Sequence, residues 1–393
     1  MLAYKDSLKI LDKYINNFNQ LEKVAITQCL DRILAEDIKA LRSYPQKETA
    51  AMDGYAIKFE EQNEALKILG QVNASELSAF KLCKKDCVKT MTGALMSDGS
   101  DTLVPVEFVE LKDDKIIIKQ NVKKGFAVRE IAQSYKKGDV LLKKGTKLSY
   151  SELALLAELG YFHITVFKKP IIGVLSSGSE LKDLGENLEN EAQIYSSNHI
   201  AIANIAKKLG ANSIIFPLVK DEKNSIKNSF NNALKACDIL VSTGGVSMGD
   251  FDFLKELVKD YEVLIDKVNI KPGRHIKIAK FEDKFILALP GFSLSAITTF
   301  ILFARHIVNS WLELKKDYTS KAFFKGVYEK KNDFLEVLPC NLHFKEAKIY
   351  ASLEGKKQGS SAMTTNLLNS KAFILVDKQE LKDGDLVDII FLP

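Results

Sequence analysis

The alternation of apolar runs with helical patterns between residues 170 and 312 constrains the fold more than any other feature of the chain. Short, continuous apolar runs predict buried strands at residues 170–175, 213–219, 238–242 and 284–289. Amphipathic patterns predict helices at residues 198–209, 222–236, 253–259 and 293–312. Strands separated by helices at this spacing form a mostly parallel, doubly wound sheet, which carries its ligand loops at the carboxyl ends of the strands.

Two other regions are predicted to be rich in β-structure, because their apolar runs are short and end at turn residues. They span residues 45–146 and 317–393. Helical spacing of apolar residues predicts helices at residues 1–17 and 149–160 and a short helix at residues 31–37. The chain of 393 residues therefore has several domains.

The charge balance excludes a generic nucleic-acid binder. The chain has 56 basic and 51 acidic residues, and its lysines are scattered rather than gathered on one stripe. Its most apolar stretch, residues 297–308, is interrupted by Arg305 and His306 and is too short to cross a membrane. We therefore expect neither a nucleic-acid partner nor a membrane anchor.

The five cysteines are odd in number and dispersed, which favours a reduced, cytoplasmic protein. Cys83 and Cys87 could supply half of a zinc site. Because neither a second pair nor a nearby histidine completes such a site, free thiols are the favoured interpretation.

A glycine-rich loop follows the strand predicted at residues 238–242. Gly244, Gly245 and Ser247 allow backbone N–H groups to approach an anion, and a helix is predicted to begin just beyond them. Asp250 and Asp252 could hold Mg²⁺ against a phosphate. An ordinary turn with one of these aspartates as a helix cap explains the same pattern, and both readings stay open.

A second loop of the same kind follows the strand predicted at residues 170–175. Ser176, Ser177 and Gly178 could cradle an oxyanion, and Glu180 could bind a metal or act as a base. The alternative is a plain turn after a strand, with Glu180 exposed to solvent. Two such loops on one doubly wound sheet favour the functional reading, because the fold places them on the same edge.

A third candidate is the turn Lys271-Pro-Gly-Arg274, whose two cations could clamp a phosphate or another oxoanion. A solvated pair of charges at a turn is the alternative. Pro290 lies in a further loop, between a predicted strand and the long helix that follows.

Eight motifs taken together resemble the molybdopterin molybdotransferases, the family of bacterial MoeA and the E domain of gephyrin. The matching segments, in order, are Ala51-Met-Asp-Gly-Tyr-Ala56, Met91-Thr-Gly-Ala94, Ser176-Ser-Gly-Ser-Glu180, Ile194-Tyr-Ser-Ser-Asn198, Ser242-Thr-Gly-Gly-Val-Ser-Met-Gly-Asp-Phe-Asp252, Lys271-Pro-Gly273, Leu289-Pro-Gly291 and Gln358-Gly-Ser360. A single motif of this kind would be weak, whereas eight in order extend over most of the chain.

The resemblance implies a multidomain α/β plus β protein. It would contain a doubly wound, three-layer α/β molybdopterin-binding domain, two smaller β-rich domains and a linker domain of helical and extended segments. The implied boundaries are residues 1–26 with 169–316 for the α/β domain, 27–44 with 147–168 for the linker and dimerisation domain, 45–146 for one β-rich domain and 317–393 for the other. The family also implies a homodimer, with an active site completed by the β-rich domain of the partner subunit.

The implied reaction inserts molybdenum from molybdate into adenylylated molybdopterin, with Mg²⁺-dependent hydrolysis and release of AMP. The resemblance assigns catalytic roles to Asp53, Thr92, Glu180 and Asp252. The implied metal ligands are Asp53, Glu180, Asp250 and Asp252, and the implied substrate-binding residues are Ser176, Ser177, Gly178, Gly244, Gly245, Ser247, Lys271, Arg274 and Pro290. A molybdopterin adenylyltransferase is the implied partner that supplies the substrate.

The chain departs from the family pattern at three places. Phe292 and Ser293 stand where the family has asparagine and proline, Ala132-Gln-Ser134 replaces a Gly-Glu-Asp segment, and an arginine usual early in the last domain is not evident near Lys330-Lys-Asn332. Two alternatives therefore stay open beside the transferase. One is a diverged paralogue that carries molybdopterin without turnover, and the other is the preceding adenylylation step.

Overall fold

The computed structural model describes residues 1–15, 20–220, 222–244, 261–314, 318–357, 359 and 361–393. The chain divides into two compact units. The first comprises Met1–Ala35, Lys147–Ser149 and His163–Pro393, and the second comprises Glu36–Thr146 and Tyr150–Phe162.

The described α-helices are α1 (Tyr4–Tyr14), α2 (Tyr150–Glu158), α3 (Asn198–Lys208), α4 (Lys223–Ala236) and α5 (Ser293–Trp311). The strands of the amino-terminal half are β1 (Leu21–Ala25), β2 (Ile38–Lys39), β3 (Thr49–Ala50), β4 (Gly54–Ile57), β5 (Leu66–Val72), β6 (Asp86–Thr90), β7 (Thr102–Pro105), β8 (Val109–Lys112), β9 (Lys115–Ile118), β10 (Val128–Arg129), β11 (Val140–Leu142), β12 (His163–Phe167), β13 (Ile171–Ser176), β14 (Leu181–Lys182) and β15 (Ile194–Tyr195). Those of the carboxyl-terminal half are β16 (Asn212–Ile215), β17 (Ile239–Thr243), β18 (Glu262–Asp266), β19 (Ile270–Lys271), β20 (Lys277–Phe281), β21 (Lys284–Leu289), β22 (Thr319–Lys325), β23 (Tyr328–Glu329), β24 (Leu335–Lys345), β25 (Lys348–Ser352), β26 (Ala372–Val376), β27 (Glu380–Leu381) and β28 (Leu386–Phe391).

The first unit contains a six-stranded sheet in the order β16-β13-β17-β21-β20-β18. The first four strands run parallel, and β20 and β18 extend the sheet in antiparallel pairing. The register sets Ser176 opposite Thr243 and Thr243 opposite Leu289. The last residues of β13, β17 and β21 therefore lie side by side at one edge of the sheet.

Helices cover both faces of this sheet, which confirms the three-layer α/β prediction. Alternate side chains such as Ile172 and Val174 of β13 pack with α1, α3 and α5, whereas Leu175 packs with α4 on the other face. A strand that is buried on both faces needs apolar side chains on both, and this is why the strands of this sheet read as continuous apolar runs.

The last part of the first unit is a closed β-structure. Strand β24 pairs with both β25 and β26, and β22 and β28 complete the ring in the order β24-β25-β22-β28-β26. The two-residue strand β19, which comes from the α/β part of the chain, joins this ring by parallel pairing with β24. This pairing ties the turn that follows β19 to the start of β24.

The second unit is built on a mixed sheet in the order β7-β4-β6-β5-β9-β8. The short pairs β3–β10 and β2–β11 and the helix α2 accompany it. Its small apolar clusters contain residues such as Tyr55, Ile57 and Val104. The prediction of a β-rich region between residues 45 and 146 is thus confirmed, whereas the exact domain boundaries stay a prediction.

The short helix expected at residues 31–37 was a wrong prediction. Ile33 and Leu34 instead form isolated bridges to Lys147 and Val166. The carbonyl of Ile33 accepts a hydrogen bond from the amide of Phe167, so this segment pairs with its neighbours rather than with itself. Tertiary pairing here overrides a local helical preference.

Several strands were missed or misjudged in length. The strand expected at residues 213–219 ends at Ile215, and β6, β18, β20, β22 and β24 were not predicted. The helix expected at residues 253–259 lies outside the described residues. Among the helices that the structure describes, none is long and apolar enough to span a membrane.

Candidate functional site

The carboxyl edge of the parallel sheet carries a cluster of hydroxyl groups. The side chains of Ser176 and Thr243, at the ends of β13 and β17, are hydrogen-bonded with 2.8 Å between Oγ and Oγ1. The amide of Ser177 donates to the carbonyl of Thr243 over 3.2 Å. These contacts hold the first two predicted loops against each other.

Three buried polar atoms at this edge have no hydrogen-bond partner among the described residues. They are Oγ of Ser177, Oγ of Ser242 and Oδ1 of Asn198. Leaving a buried polar atom unpaired costs about 1–3 kcal/mol. Buried polar atoms that the described part of the chain leaves unpaired are suited to a polar ligand.

Gly244 permits the close approach of the two loops. It has a φ of +91°, and a Cβ at this position would lie 2.4 Å from the carbonyl oxygen of Ser177. Both the backbone conformation and the space therefore require glycine. The loop after β21 is also near, because a Cβ on Gly291 would lie 3.7 Å from Cα of Gly244.

The start of helix α3 is tied to the same edge. Nδ2 of Asn198 donates to the carbonyl oxygen of Gly291 over 2.7 Å. Ser197 stands at the cap position of α3 but makes no capping hydrogen bond through its side chain. The structure thus brings the segments around residues 176, 198, 244 and 291 together.

Glu180 lies on the exposed side of the first loop. A Cβ on Gly178 would lie 2.8 Å from both carboxylate oxygens of Glu180, so glycine leaves room for this side chain to fold back over the loop. The backbone carbonyl of Glu180 accepts a hydrogen bond from the amide of Ile194 over 2.9 Å. This places an exposed carboxylate next to the hydroxyl cluster.

The turn after β19 presents the predicted cations. Gly273 has a φ of +102°, and a Cβ there would lie 2.2 Å from Cγ2 of Thr299 in α5. The guanidinium of Arg274 donates to Nε2 of His275 and lies over the ring of Phe334, 5.3 Å from its centroid. The peptide bond between Lys271 and Pro272 is cis.

This turn forms one wall of a cavity of about 510 Å³ in the first unit. Residues of β24, Lys356, Lys357, Pro290 and Phe292 also line this cavity. Its basic lining residues are Lys271, Arg274, His275, Lys356 and Lys357. The volume is in the range of small-molecule sites, and the excess of cations suits an anion.

One carboxylate, that of Glu336, is found among the described residues that line this cavity. It accepts hydrogen bonds from Nζ of Lys271 over 3.0 Å, Nδ2 of Asn332 over 2.6 Å and the hydroxyl of Tyr328 over 2.5 Å. Burial alone would raise the pKa of Glu336, but these three donors outweigh burial and hold it below its usual value. The carboxylate is therefore ionised at neutral pH.

Asp53 and Thr92 come together in the second unit. Both the amide and the hydroxyl of Thr92 donate to Oδ1 of Asp53 over 2.7 Å. These two hydrogen bonds hold the pKa of Asp53 below its usual value. In this structure Thr92 orients the carboxylate, and the free oxygen Oδ2 accepts no hydrogen bond within the part of the chain that is described.

Four predicted site residues, Gly245, Ser247, Asp250 and Asp252, lie outside the described residues. Within the described ranges, no group of three or more His, Cys, Asp or Glu side chains is arranged to hold a metal ion. Cys83 is exposed and Cys87 is buried in β6, and neither forms a disulfide with another described cysteine.

Sequence reasoning missed Glu336, Tyr328, His275 and Lys356. Glu336 lies in an ordinary apolar run of an unpredicted strand, and nothing local marks it as a cavity residue. The pair Lys356-Lys357 was visible in the sequence, but its place in the same cavity as Lys271 follows only from the folded structure.

Three family models match successive parts of the chain. Residues 2–160 match the MoeA N-terminal region (domain I and II), residues 173–310 match a probable molybdopterin binding domain, and residues 324–392 match the MoeA C-terminal region (domain IV). The matches follow the chain in order and meet near the boundaries of the closed β-structure and the parallel sheet.

Curated relatives and solved structures agree with these models. The molybdopterin molybdenumtransferase of Bacillus subtilis is 30% identical over 372 residues, which cover 91% of this chain and 86% of the relative. That of Haemophilus influenzae is 28% identical and covers 94% of this chain and 93% of its own length. The molybdopterin biosynthesis MoeA protein of Pyrococcus horikoshii matches in structure with a TM-score of 0.85 and 26% identity, over 100% of this chain and 99% of that one.

Proposed function

We propose that this chain, which belongs to the MoeA family of molybdopterin molybdenumtransferases, inserts molybdenum from molybdate into adenylylated molybdopterin. Its role lies in the biosynthesis of the molybdenum cofactor, and its class is that of a transferase. The main support for the proposed substrates is the basic cavity, which lies next to the hydroxyl-lined edge of the parallel sheet.

The cavity is the proposed site of molybdate. Four of its lining residues, Lys271, Arg274, Lys356 and Lys357, supply the positive charge that a tetrahedral dianion requires. Burial lowers the pKa of Lys356 from its usual value, and a bound dianion would reverse that effect by favouring the charged form.

The hydroxyl cluster is the proposed site of the phosphate groups of the adenylylated pterin. Ser176 ends β13, Ser177 and Gly178 follow it, and Gly244 begins the next loop. Unpaired buried hydroxyl groups and close backbone approach are what a phosphate needs from a glycine-rich loop. Gly245 and Ser247 continue the same proposed cradle. Pro290 would close it from the loop after β21.

Mg²⁺ is the proposed metal, held by Asp53, Glu180, Asp250 and Asp252. Hard carboxylate oxygens are the ligands that Mg²⁺ prefers, and the lowered pKa of Asp53 keeps this group ionised. Bound Mg²⁺ would neutralise charge on the phosphoric anhydride. In the protein itself, Thr92 would orient the carboxylate of Asp53 for this role.

The proposed reaction has two steps, hydrolysis of the anhydride and insertion of molybdenum. Water adds to the phosphoric anhydride, one P–O bond forms as another breaks, and AMP leaves from the phosphate of molybdopterin. The two dithiolene sulfurs bond to molybdenum, and one oxygen of molybdate leaves as water with the two thiol protons. Asp252 and Glu180 are the proposed groups that activate the water.

We also propose a homodimer that acts in the cytoplasm and receives its substrate from a molybdopterin adenylyltransferase. The five free cysteines support a reducing compartment. Light scattering of the purified protein measures the dimer directly. A monomer at all concentrations would contradict this part of the proposal.

The proposed function is tested by AMP release from adenylylated molybdopterin with Mg²⁺, with and without molybdate. Molybdate-dependent release is expected from the unmodified chain, and Asp53→Asn should abolish it while pterin binding stays nearly intact. Tight pterin binding without AMP release from the unmodified chain would refute turnover and identify a carrier.

A further inference from the structure

Glu336 is the feature of the cavity that its proposed function does not use. Its side chain is 3% exposed, whereas that of its partner Lys271 is 49% exposed. The carboxylate is therefore shielded from solvent, whereas the ammonium group is half exposed. Lys271, one of the cations that line the cavity, is thus already paired with a buried negative charge.

The carboxylate is held by more than Lys271. Tyr328 of β23 and Asn332, which precedes β24, also donate to it, and the register of β19 and β24 sets Lys271 opposite Glu336. A carboxylate with three donors cannot swing away when an anion enters. Its negative charge therefore remains a fixed part of the cavity during binding.

This arrangement has two opposite electrostatic effects. The pairing holds the Lys271 ammonium at one place, but the ammonium has three N–H donors and gives one to Glu336. At the same time, the carboxylate repels any anion that binds on the far side of the ammonium. The second effect scales with the charge of the anion, and the first does not.

We propose that Glu336 is a built-in counter-ion that limits the affinity of the cavity for dianionic tetrahedral oxoanions. It is a specificity-determining residue, which keeps the lysine in position while lowering the attraction for the dianion. This inference rests on the proposed function, because it takes the cavity to be the oxoanion site.

The test is calorimetric titration of the full chain with molybdate, comparing the unmodified protein with Glu336→Gln and Glu336→Asp. Glutamine keeps an oxygen acceptor for Lys271 and removes the charge, so we expect about tenfold tighter molybdate binding. Aspartate keeps the charge, so its affinity should stay within about twofold of the unmodified protein.

A second anion separates electrostatics from structure. Perrhenate is tetrahedral like molybdate but carries one charge, so Glu336→Gln should tighten its binding by only about threefold, the square root of the effect on molybdate. A merely structural role of Glu336, in which its loss displaces the Lys271 ammonium, would instead weaken the binding of both anions.

The outcomes distinguish this inference from the proposed function. Molybdate binding that depends on Lys271 but is unchanged or weakened in Glu336→Gln would overturn the inference and leave the proposed function standing. Equal effects on molybdate and perrhenate would overturn it as well. Absence of molybdate binding in both the unmodified protein and Glu336→Gln would overturn the oxoanion site and the inference together.

Discussion

Lys271 and Glu336 stand opposite each other in the parallel pairing of β19 with β24, and Nζ of the lysine lies 3.0 Å from Oε1 of the glutamate. One residue comes from a turn of the α/β part of the chain and the other from the closed β-structure, 65 residues later. The contact between the two residues therefore joins two segments that line one cavity, which neither segment could form alone.

Replacing Lys271 by methionine should weaken molybdate binding and raise the molybdate concentration needed for AMP release. A charge-assisted hydrogen bond contributes about 1.5–3 kcal/mol, so a loss of roughly tenfold to a hundredfold is expected. Lys325→Met, which removes an exposed lysine of β22, is the matched control and should leave the affinity unchanged. Equal loss in both variants would show that only overall charge matters.

Thr92→Val should shift the acid limb of the pH–activity profile upward. The hydroxyl of Thr92 is the first cause of the lowered pKa of Asp53, so removing it moves that pKa back toward its usual value. Because the ionised carboxylate is the proposed metal ligand, activity should then be lost at a higher pH than in the unmodified protein. Thr146→Val, whose hydroxyl bonds to a backbone carbonyl elsewhere in the second unit, is the control. An unchanged acid limb would argue that Asp53 does not titrate in the rate-limiting step.

Gly244→Ala should damage the hydroxyl-lined edge. A side chain in this backbone conformation costs about 1–3 kcal/mol, and the added Cβ would also meet the carbonyl oxygen of Ser177. Gly384→Ala is the matched control, because its φ of +87° imposes the same strain while nothing lies within 4 Å of the added Cβ. The midpoint temperature of thermal unfolding and the affinity for the pterin should fall more in Gly244→Ala than in Gly384→Ala. Equal effects in the two variants would mean that the contact with Ser177 is relieved at no cost.

Tyr328→Phe should lower the free energy of unfolding by about 1–3 kcal/mol at neutral pH, because a buried hydrogen bond to an ionised carboxylate is lost. The pKa of Glu336 is lower in the folded protein than in the unfolded chain, so its contribution is present at neutral pH and is lost as the pH falls through the folded pKa. The deficit of the variant should therefore shrink under acid conditions, as measured by urea unfolding at several pH values.

Tyr350→Phe serves as the control. It removes the hydroxyl of an aromatic side chain of the closed β-structure that packs against Phe323. A deficit in Tyr328→Phe that is constant with pH would show that the lost hydrogen bond does not depend on the charge of Glu336.

Local sequence patterns predicted the elements of the parallel sheet well. Strand β21 was predicted at its observed bounds, and α3, α4 and α5 were each predicted within two residues at either end. These elements are long or fully buried, so their periodicity is strong. Strands β18 and β20 were missed, since polar and charged residues interrupt their apolar pattern at the antiparallel side of the sheet.

The candidate site was predictable to the extent that glycines and hydroxyl residues follow buried strands. Ser176, Ser177, Gly178 and Gly244 lie together because parallel strands in register end at one edge. Asp53 and Thr92 were unremarkable by themselves, and only the resemblance singled them out. Their mutual hydrogen bonds are a property of the folded second unit.

The sequence by itself determined the class of the fold, the loops at the carboxyl edge of the sheet and the family, because these depend on local periodicity and on motifs in fixed order. The tertiary structure decided which charges face each other. The register of β19 with β24 sets Glu336 beside Lys271, and the closed β-structure brings Lys356 and Lys357 to the same cavity. Such contacts join residues far apart in the chain, and their energies depend on distance and burial, which no local pattern encodes.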